Sequence, residues 1–404
     1  MLTNSTSKFR AINERTVSEL DNLLASREMI LVAGSGGVGK TTIAAAMGIA
    51  AAQRQKGKIL VLTVDPAKRL ATALGLDEVG NTPVRIKPAV FKEAGVTVRG
   101  ELWVAMLDTK AGWDELIRQH APDAQVRDAV LANPLYQNIT SRFVHSHDYL
   151  AMEQLHDLHA TGDFDLVIVD TPPSRNALSI LDAPSRMIDF FGSRLLRWLT
   201  VPYRSRLFTV ASKPFYQIAD RVLGSRFLQD IADFFVLFQA MEKGFVKRAR
   251  AVEALLVDAR TAFVVVTTLE TAPSHEAKFL AQALLNRGMT LGAMVVNRVL
   301  PARLAANDAL TGASALLEAG PELVEAVAEQ LDDVSPKTVA AVLAQLAERF
   351  DDVALVASRE TERRAELATF ATTMLDVPWL TGDIHDIAGL GALAEHLRVD
   401  SVNG

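Results

Sequence analysis

The sequence predicts an α/β fold, a mainly parallel sheet flanked by helices, with an α-helical subdomain inserted. Three observations carry that expectation. Apolar runs of strand length recur at residues 29–33, 58–64, 102–107, 164–169, 261–267 and 291–296. Several of these runs are near-continuous rather than alternating, the pattern of strands buried on both faces of a parallel sheet. Long helical stretches separate most of them, as crossovers between parallel strands require. Residues 174–258 show helical spacing and no strand pattern, which is too much helix for an ordinary crossover and reads as an insertion.

Taken in order, a leading helix precedes the first strand at 29–33 (MILVA), and residues 34–39 form a glycine-rich turn. An alanine-rich helix follows from Lys40 and is ended by Gly57. Gly34, Gly39, Lys40 and Thr41 fit G-x-x-x-x-G-K-[ST] in its required strand–turn–helix context. There, loop N–H groups and a helix N-terminus wrap phosphates, the lysine meets the terminal phosphates and the threonine holds Mg²⁺. The same glycines also spell the G-x-G-x-x-G dinucleotide fingerprint. Lys40-Thr41 directly after Gly39, which a dinucleotide site does not need, favours a P-loop for a nucleoside triphosphate.

The strand at 58–64 stops at Asp65-Pro66-Ala67. Ligands of open α/β sheets bind outside the carboxyl ends of strands, so Asp65 is expected to face the loop. Residues 76–100 mix Pro, Gly and charge and give no element. Residues 111–160 read as helix broken near Pro122 and Pro134. The strand at 164–169 ends at Asp170-Thr171-Pro172-Pro173, repeating the arrangement at Asp65. After the strand at 291–296 come Asn297-Arg298, then mostly helix to residue 376. Loop character is expected at 376–379 before a final helix through Leu397. Only one P-loop is present, so the site is not duplicated within the chain. The expected organisation is one P-loop domain over 1–404. Its nucleotide-binding core lies at about 28–110, 160–175, 258–300 and 370–404. The helical subdomain covers about 111–160 and 176–258, and a further helical region spans 301–370.

Bulk properties narrow the function. A net charge of −6 argues against nucleic-acid binding, which needs clustered Lys and Arg. The sequence has no cysteine, which excludes disulfides, thiolate zinc sites, cysteine-ligated iron–sulfur clusters and thiol catalysis. The first thirty residues carry charges where a signal peptide needs an apolar core, and no uncharged apolar run approaches the roughly 18 residues of a membrane span. A cytoplasmic protein, at most peripheral at a membrane, is expected.

Phosphoryl transfer to water asks the protein to hold phosphates, neutralise charge and align a water. Lys40 and the N–H groups of Gly34, Ser35, Gly36, Gly37, Val38, Gly39, Thr41 and Thr42 are candidates for holding ATP. Thr41 is the candidate ligand of Mg²⁺, and Asp170 a second acidic group acting on the metal through water. Asp65, with Lys40, is the catalytic candidate, as the group that orients or deprotonates the attacking water.

GSGGVGKTT, then VDPA at 64–67, VIVDTPPSRNAL at 167–178 and VVNR at 295–298, in this order, resemble the ArsA-type anion-transporting ATPases, which include the arsenite-pump ATPase and the tail-anchored-protein-targeting ATPase. LDTKAGWDEL at 107–116 and DVPWLTGDIHDIAGLGAL at 376–393 extend the likeness across nearly the whole chain. The resemblance implies a dimer with nucleotide at its interface, with Asp65 in a first switch loop and Asp170 opening a second. It also implies that Asn297 recognises adenine, with Pro378 near the base. Relatives usually carry at the position of Ser35 a lysine that reaches the partner's nucleotide, and histidines where Lys68 and Asn176 stand here. The chain is therefore expected to work as a homodimer, or as a heterodimer with a similar ATPase that keeps the lysine. Without cysteine, neither a thiolate arsenite site nor a Cys-x-x-Cys zinc clasp carries over.

Within the insertion, Phe190, Phe191, Trp198, Leu207 and Phe208 interleave with Arg186, Arg194, Arg197, Arg204 and Arg206, opposed only by Asp189 and Asp220. Phe234, Phe235, Leu237 and Met241 extend this apolar character. Such basic amphipathic helices suit an apolar helical client or a membrane surface through about 186–241, or pack into the protein's own core. His145, His147, His156 and His159 cluster in sequence, and ordinary surface or packed histidines are favoured there over a metal site.

Overall fold

Eight strands form one sheet in the order β3-β4-β2-β5-β1-β6-β7-β8, all parallel except the short β3, which runs antiparallel to β4. The structure is a computed structural model. It describes residues 18–63, 80–106, 109–133, 146–171, 179–192, 239–306, 320–331, 334–380 and 384–398, with isolated positions between them.

The first half of the chain runs α1 (Glu19–Ser26), β1 (Met29–Ala33), α2 (Lys40–Arg54), β2 (Lys58–Thr63), β3 (Val84–Arg85), α3 (Pro88–Glu93) and β4 (Glu101–Met106). Then come α4 (Thr109–His120), α5 (Ala124–Ala132), α6 (Ser146–Thr161), β5 (Leu166–Asp170), α7 (Ser179–Gly192) and α8 (Glu242–Leu256). The chain continues with β6 (Thr261–Thr267), α9 (Thr271–Asn286), β7 (Leu291–Val299), α10 (Pro321–Ala328), α11 (Pro336–Leu367), β8 (Met374–Pro378) and α12 (Ile387–His396).

The near-continuous strands are buried on both faces, as their composition predicts: every residue of β1, β5 and β6 is buried. Successive β1 side chains alternate between two cores. Ile30 and Val32 join a cluster with α1, α2 and α12, whereas Met29, Leu31 and Ala33 join one with α6, α8 and α9. The alanines of α2 are almost wholly enclosed, and their small side chains let the helix lie close against the sheet. Arg398 ties this layer together, bonding Asp21 of α1 at 3.1 Å and Gln53 of α2 at 2.8 Å.

A third cluster lies apart from these two. Trp113, Ile117, Val130, Tyr149, Phe191, Phe234, Met241 and Phe245 pack together from α4 to α8. Beside it, the buried Glu153 carboxylate accepts from Arg248 Nε at 2.6 Å and from the Tyr149 hydroxyl, and Arg248 also pairs with Asp157. Of the two readings open for the stretch of about 186–241, packing into the protein's own core holds for Phe191, Phe234 and Met241; Phe190 is 39% exposed. The rest of the aromatic–basic stretch, 193–233, lies outside the described residues.

Two local expectations change. Residues 376–378 are strand rather than loop: β8 pairs with β7 from Met374 to Pro378. Its five residues are too few for a clear periodic signal, and proline is tolerated here at the end of an edge strand. Residues 76–100, which gave no element, supply β3 and α3. Among the described residues, no helix is long and apolar enough to cross a membrane.

Candidate functional site

The loop between β1 and α2 is built by backbone geometry that most residues cannot adopt. Gly34 has φ +152°, and a Cβ there would stand 2.1 Å from the Val266 carbonyl oxygen of β6. Gly39 has φ +96°, and a Cβ there would meet the Asn297 side-chain nitrogen at 2.5 Å. These contacts explain why the first and last loop positions are glycine. Gly39 is also the N-cap of α2 and offers no side-chain cap, which leaves the first helical N–H groups available to a ligand.

Strand register brings the other parts to the same edge. Asp170, the last residue of β5, stands opposite Val32 of β1 and Thr63 of β2. Its carboxylate is 1% exposed, and Oδ2 accepts from Thr41 Oγ1 at 2.6 Å and from Thr63 Oγ1 at 2.9 Å. Three hard oxygens from a helix and two strands thus converge beside the loop, a donor set suited to Mg²⁺. Lys40, also buried, bends back so that Nζ donates to the Ser35 carbonyl at 2.8 Å. This bond holds an ammonium inside the loop.

On the other side, Asn297 donates through Nδ2 to the Val38 carbonyl at 2.8 Å and accepts from the Arg298 N–H through Oδ1 at 2.9 Å. It sits where the β7–β8 register shifts between Val296 and Val299, next to Arg298 at φ 59°. Pro378 pairs with Val299, so it occupies the neighbouring strand end. Gly36 and Gly37 are exposed at the loop crown, Val38 is buried in the sheet core, and Thr42 is half-buried on the first turn of α2.

The structure therefore brings together Gly34 to Thr42, Asp170 and Asn297, with Pro378 at the adjacent strand end. Asp65 and Lys68 lie outside the described residues, as do Pro172, Pro173 and Asn176. Thr63 is the residue that sequence reasoning missed. The available signal was a hydroxyl ending an otherwise apolar strand, two positions before Asp65. His159 pairs with Glu28 at 3.0 Å, and among the described residues no three His, Cys, Asp or Glu side chains gather as a metal site.

A glycine cradle after the first strand, an enclosed lysine at the start of the helix and a buried aspartate one strand away define the P-loop NTPase class. Within that class the chain belongs to the anion-transporting ATPase family, whose family model matches residues 27–345. An uncharacterised protein of Streptomyces coelicolor is 28% identical over 284 residues, covering 70% of this chain and 65% of that protein. The ATPase ASNA1 homolog of Entamoeba dispar is 23% identical, covering 70% of this chain and 80% of its own length. A putative arsenical pump-driving ATPase of Aquifex aeolicus is 24% identical, covering 68% and 63% respectively. The chain thus spans less than two thirds of the Streptomyces and Aquifex relatives.

Proposed function

We propose that this chain binds and hydrolyses ATP with Mg²⁺ as a dimeric switch, coupling nucleotide state to the handling of a hydrophobic or membrane-associated client rather than arsenite. The observation that carries the reading is the convergence of the Thr41 and Thr63 hydroxyls on one carboxylate oxygen of Asp170 beside the P-loop. Bound there, Mg²⁺ would neutralise charge across the terminal phosphates. Lys40 and the loop N–H groups would hold those phosphates, Thr41 would ligate the metal, and Asp170 would act on it through water. Asp65 is assigned the orientation of the attacking water, by its place after β2. Asn297 and Pro378 are assigned to the adenine side, which their position at the ends of β7 and β8 supports. The stretch of about 186–241 is assigned to the client; the names of the pump-driving relatives support work coupled to ATP. The absence of cysteine speaks against trivalent arsenic as cargo.

Multiple-turnover phosphate release tests the reading. Mg²⁺-dependent release should fall at least tenfold in Asp65→Asn and in Lys40→Ala. Release that is equal in all three proteins would refute hydrolysis at this site. A second reading has a specific basis in Ser35, at the position where the resemblance implies a lysine: a weakly or non-hydrolysing nucleotide-binding regulatory subunit that pairs with a lysine-bearing relative. Stimulation on mixing with such a relative supports it, and full activity alone, with no gain from mixing or from Ser35→Lys, overturns it.

A further inference from the structure

Ser35 is the second residue of the loop, between two glycines, yet its side chain does not face solvent. The residue is 8% exposed, and its Oγ is buried with no hydrogen-bond partner among the described residues. The surroundings leave few internal options. The Ser35 carbonyl is already used by Lys40 Nζ, and the flanking Gly34 and Gly36 contribute no side-chain acceptor. A buried hydroxyl left without a partner is costly, and natural folds complete such groups with a water, an ion or a ligand. The ligand of this loop carries phosphate oxygens, which are strong acceptors for a hydroxyl donor.

We propose that the Ser35 hydroxyl donates to the terminal phosphate of the nucleotide held by its own chain, so that this hydroxyl distinguishes triphosphate from diphosphate. The inference rests on the ATP reading of the site and adds a specificity-determining residue to it. It also gives Ser35 two effects of opposite sign. In the nucleotide-free protein its buried hydroxyl destabilises the loop; with triphosphate bound it contributes affinity.

The test compares wild type, Ser35→Ala and Ser35→Thr by thermal unfolding and by isothermal titration calorimetry, with Mg²⁺ and either ADP or the non-hydrolysable analogue AMP-PNP. Ser35→Ala should melt higher than wild type without nucleotide. It should also bind AMP-PNP roughly tenfold more weakly while binding ADP within about twofold of wild type. Ser35→Thr, which keeps the hydroxyl, should restore most of the AMP-PNP affinity. Equal loss for both nucleotides, no loss for either, or a lower melting temperature of nucleotide-free Ser35→Ala would overturn the inference. Failure of the ATP reading is distinguishable, because wild type would then bind neither nucleotide.

Discussion

Replacing Thr63 by valine isolates the one group at the site that sequence reasoning overlooked. Thr63 is 3% exposed, and its hydroxyl donates at 2.9 Å to a carboxylate that is itself 1% exposed. Valine keeps the shape of the side chain, so the change removes a donor without opening a cavity. A hydrogen bond to a charged acceptor contributes about 1.5–3 kcal/mol, and a carboxylate this enclosed has little contact with solvent to replace the lost donor. The methyl that takes the place of the hydroxyl returns roughly 0.8 kcal/mol of apolar burial. The net expected loss is about 1–2 kcal/mol in the absence of nucleotide. Urea unfolding followed by far-ultraviolet circular dichroism reads this as a lower midpoint at unchanged slope, since the surface exposed on unfolding stays the same. Thr63→Ser, which retains the oxygen, should recover most of the loss. An unchanged or higher midpoint in Thr63→Val would refute the reasoning that Asp170 depends on this donor.

Two further outcomes follow from contacts around the loop and the third core. Asn297→Ala removes the brace on the Val38 carbonyl and should speed amide hydrogen exchange of residues 34–39 several-fold, with a stability loss of about 1 kcal/mol; exchange unchanged from wild type would show that the brace does not hold the loop. His120 lies against Phe245 with ring centroids 4.7 Å apart, and burial pushes its pKa below 6.5, partly opposed by Glu153 and Asp157 and reinforced by Arg248. Because the unfolded chain then binds the proton more readily, this histidine should subtract stability as pH falls below 6.5 and leave it unaffected above. His120→Phe should flatten that part of the melting-temperature profile; an identical slope in both proteins would count against it.

The legible parts of the chain were those where one residue type answers to one physical demand. Positive φ and a carbonyl 2.1 Å from a would-be Cβ leave Gly34 no substitute, so the loop could be read directly. Strands enclosed on both faces announce themselves as unbroken apolar runs, and β6 occupies the residues its composition predicts. Asp170 was readable because a charge ending such a run has to be used. Thr63 was not, because threonine is an ordinary β-branched strand residue until a carboxylate is found opposite it. β8 escaped for a different reason: a five-residue edge strand ending in proline resembles a loop when its neighbour in space is unknown. The aromatic positions near residue 240 showed a helical stripe, but spacing alone does not tell an outer surface from a face that meets other helices. Phe234 and Met241 proved to lie against Phe245 and its neighbours.

Three helices are each rooted in one core and end in another. α6 meets the aromatic cluster through Tyr149 and Leu150 and the sheet through Met152 and Leu155. α8 does the reverse, with Phe245 and Ala249 at the aromatic end and Val252 and Leu256 at the sheet. α7 lies in the chain beyond Asp170, contributes Leu181 to the sheet core, and carries Phe191 at its far end. In mechanical terms the three helices are struts between the aromatic cluster and the sheet: α6 and α8 run into the starts of β5 and β6, and α7 follows the strand that ends at Asp170. A 14-residue helix is about 21 Å long, so a tilt of about 10° at its root swings its tip by about 4 Å. A tilt of that size in α7 would be felt at Phe191, inside the aromatic cluster, and not in the strands that carry the loop.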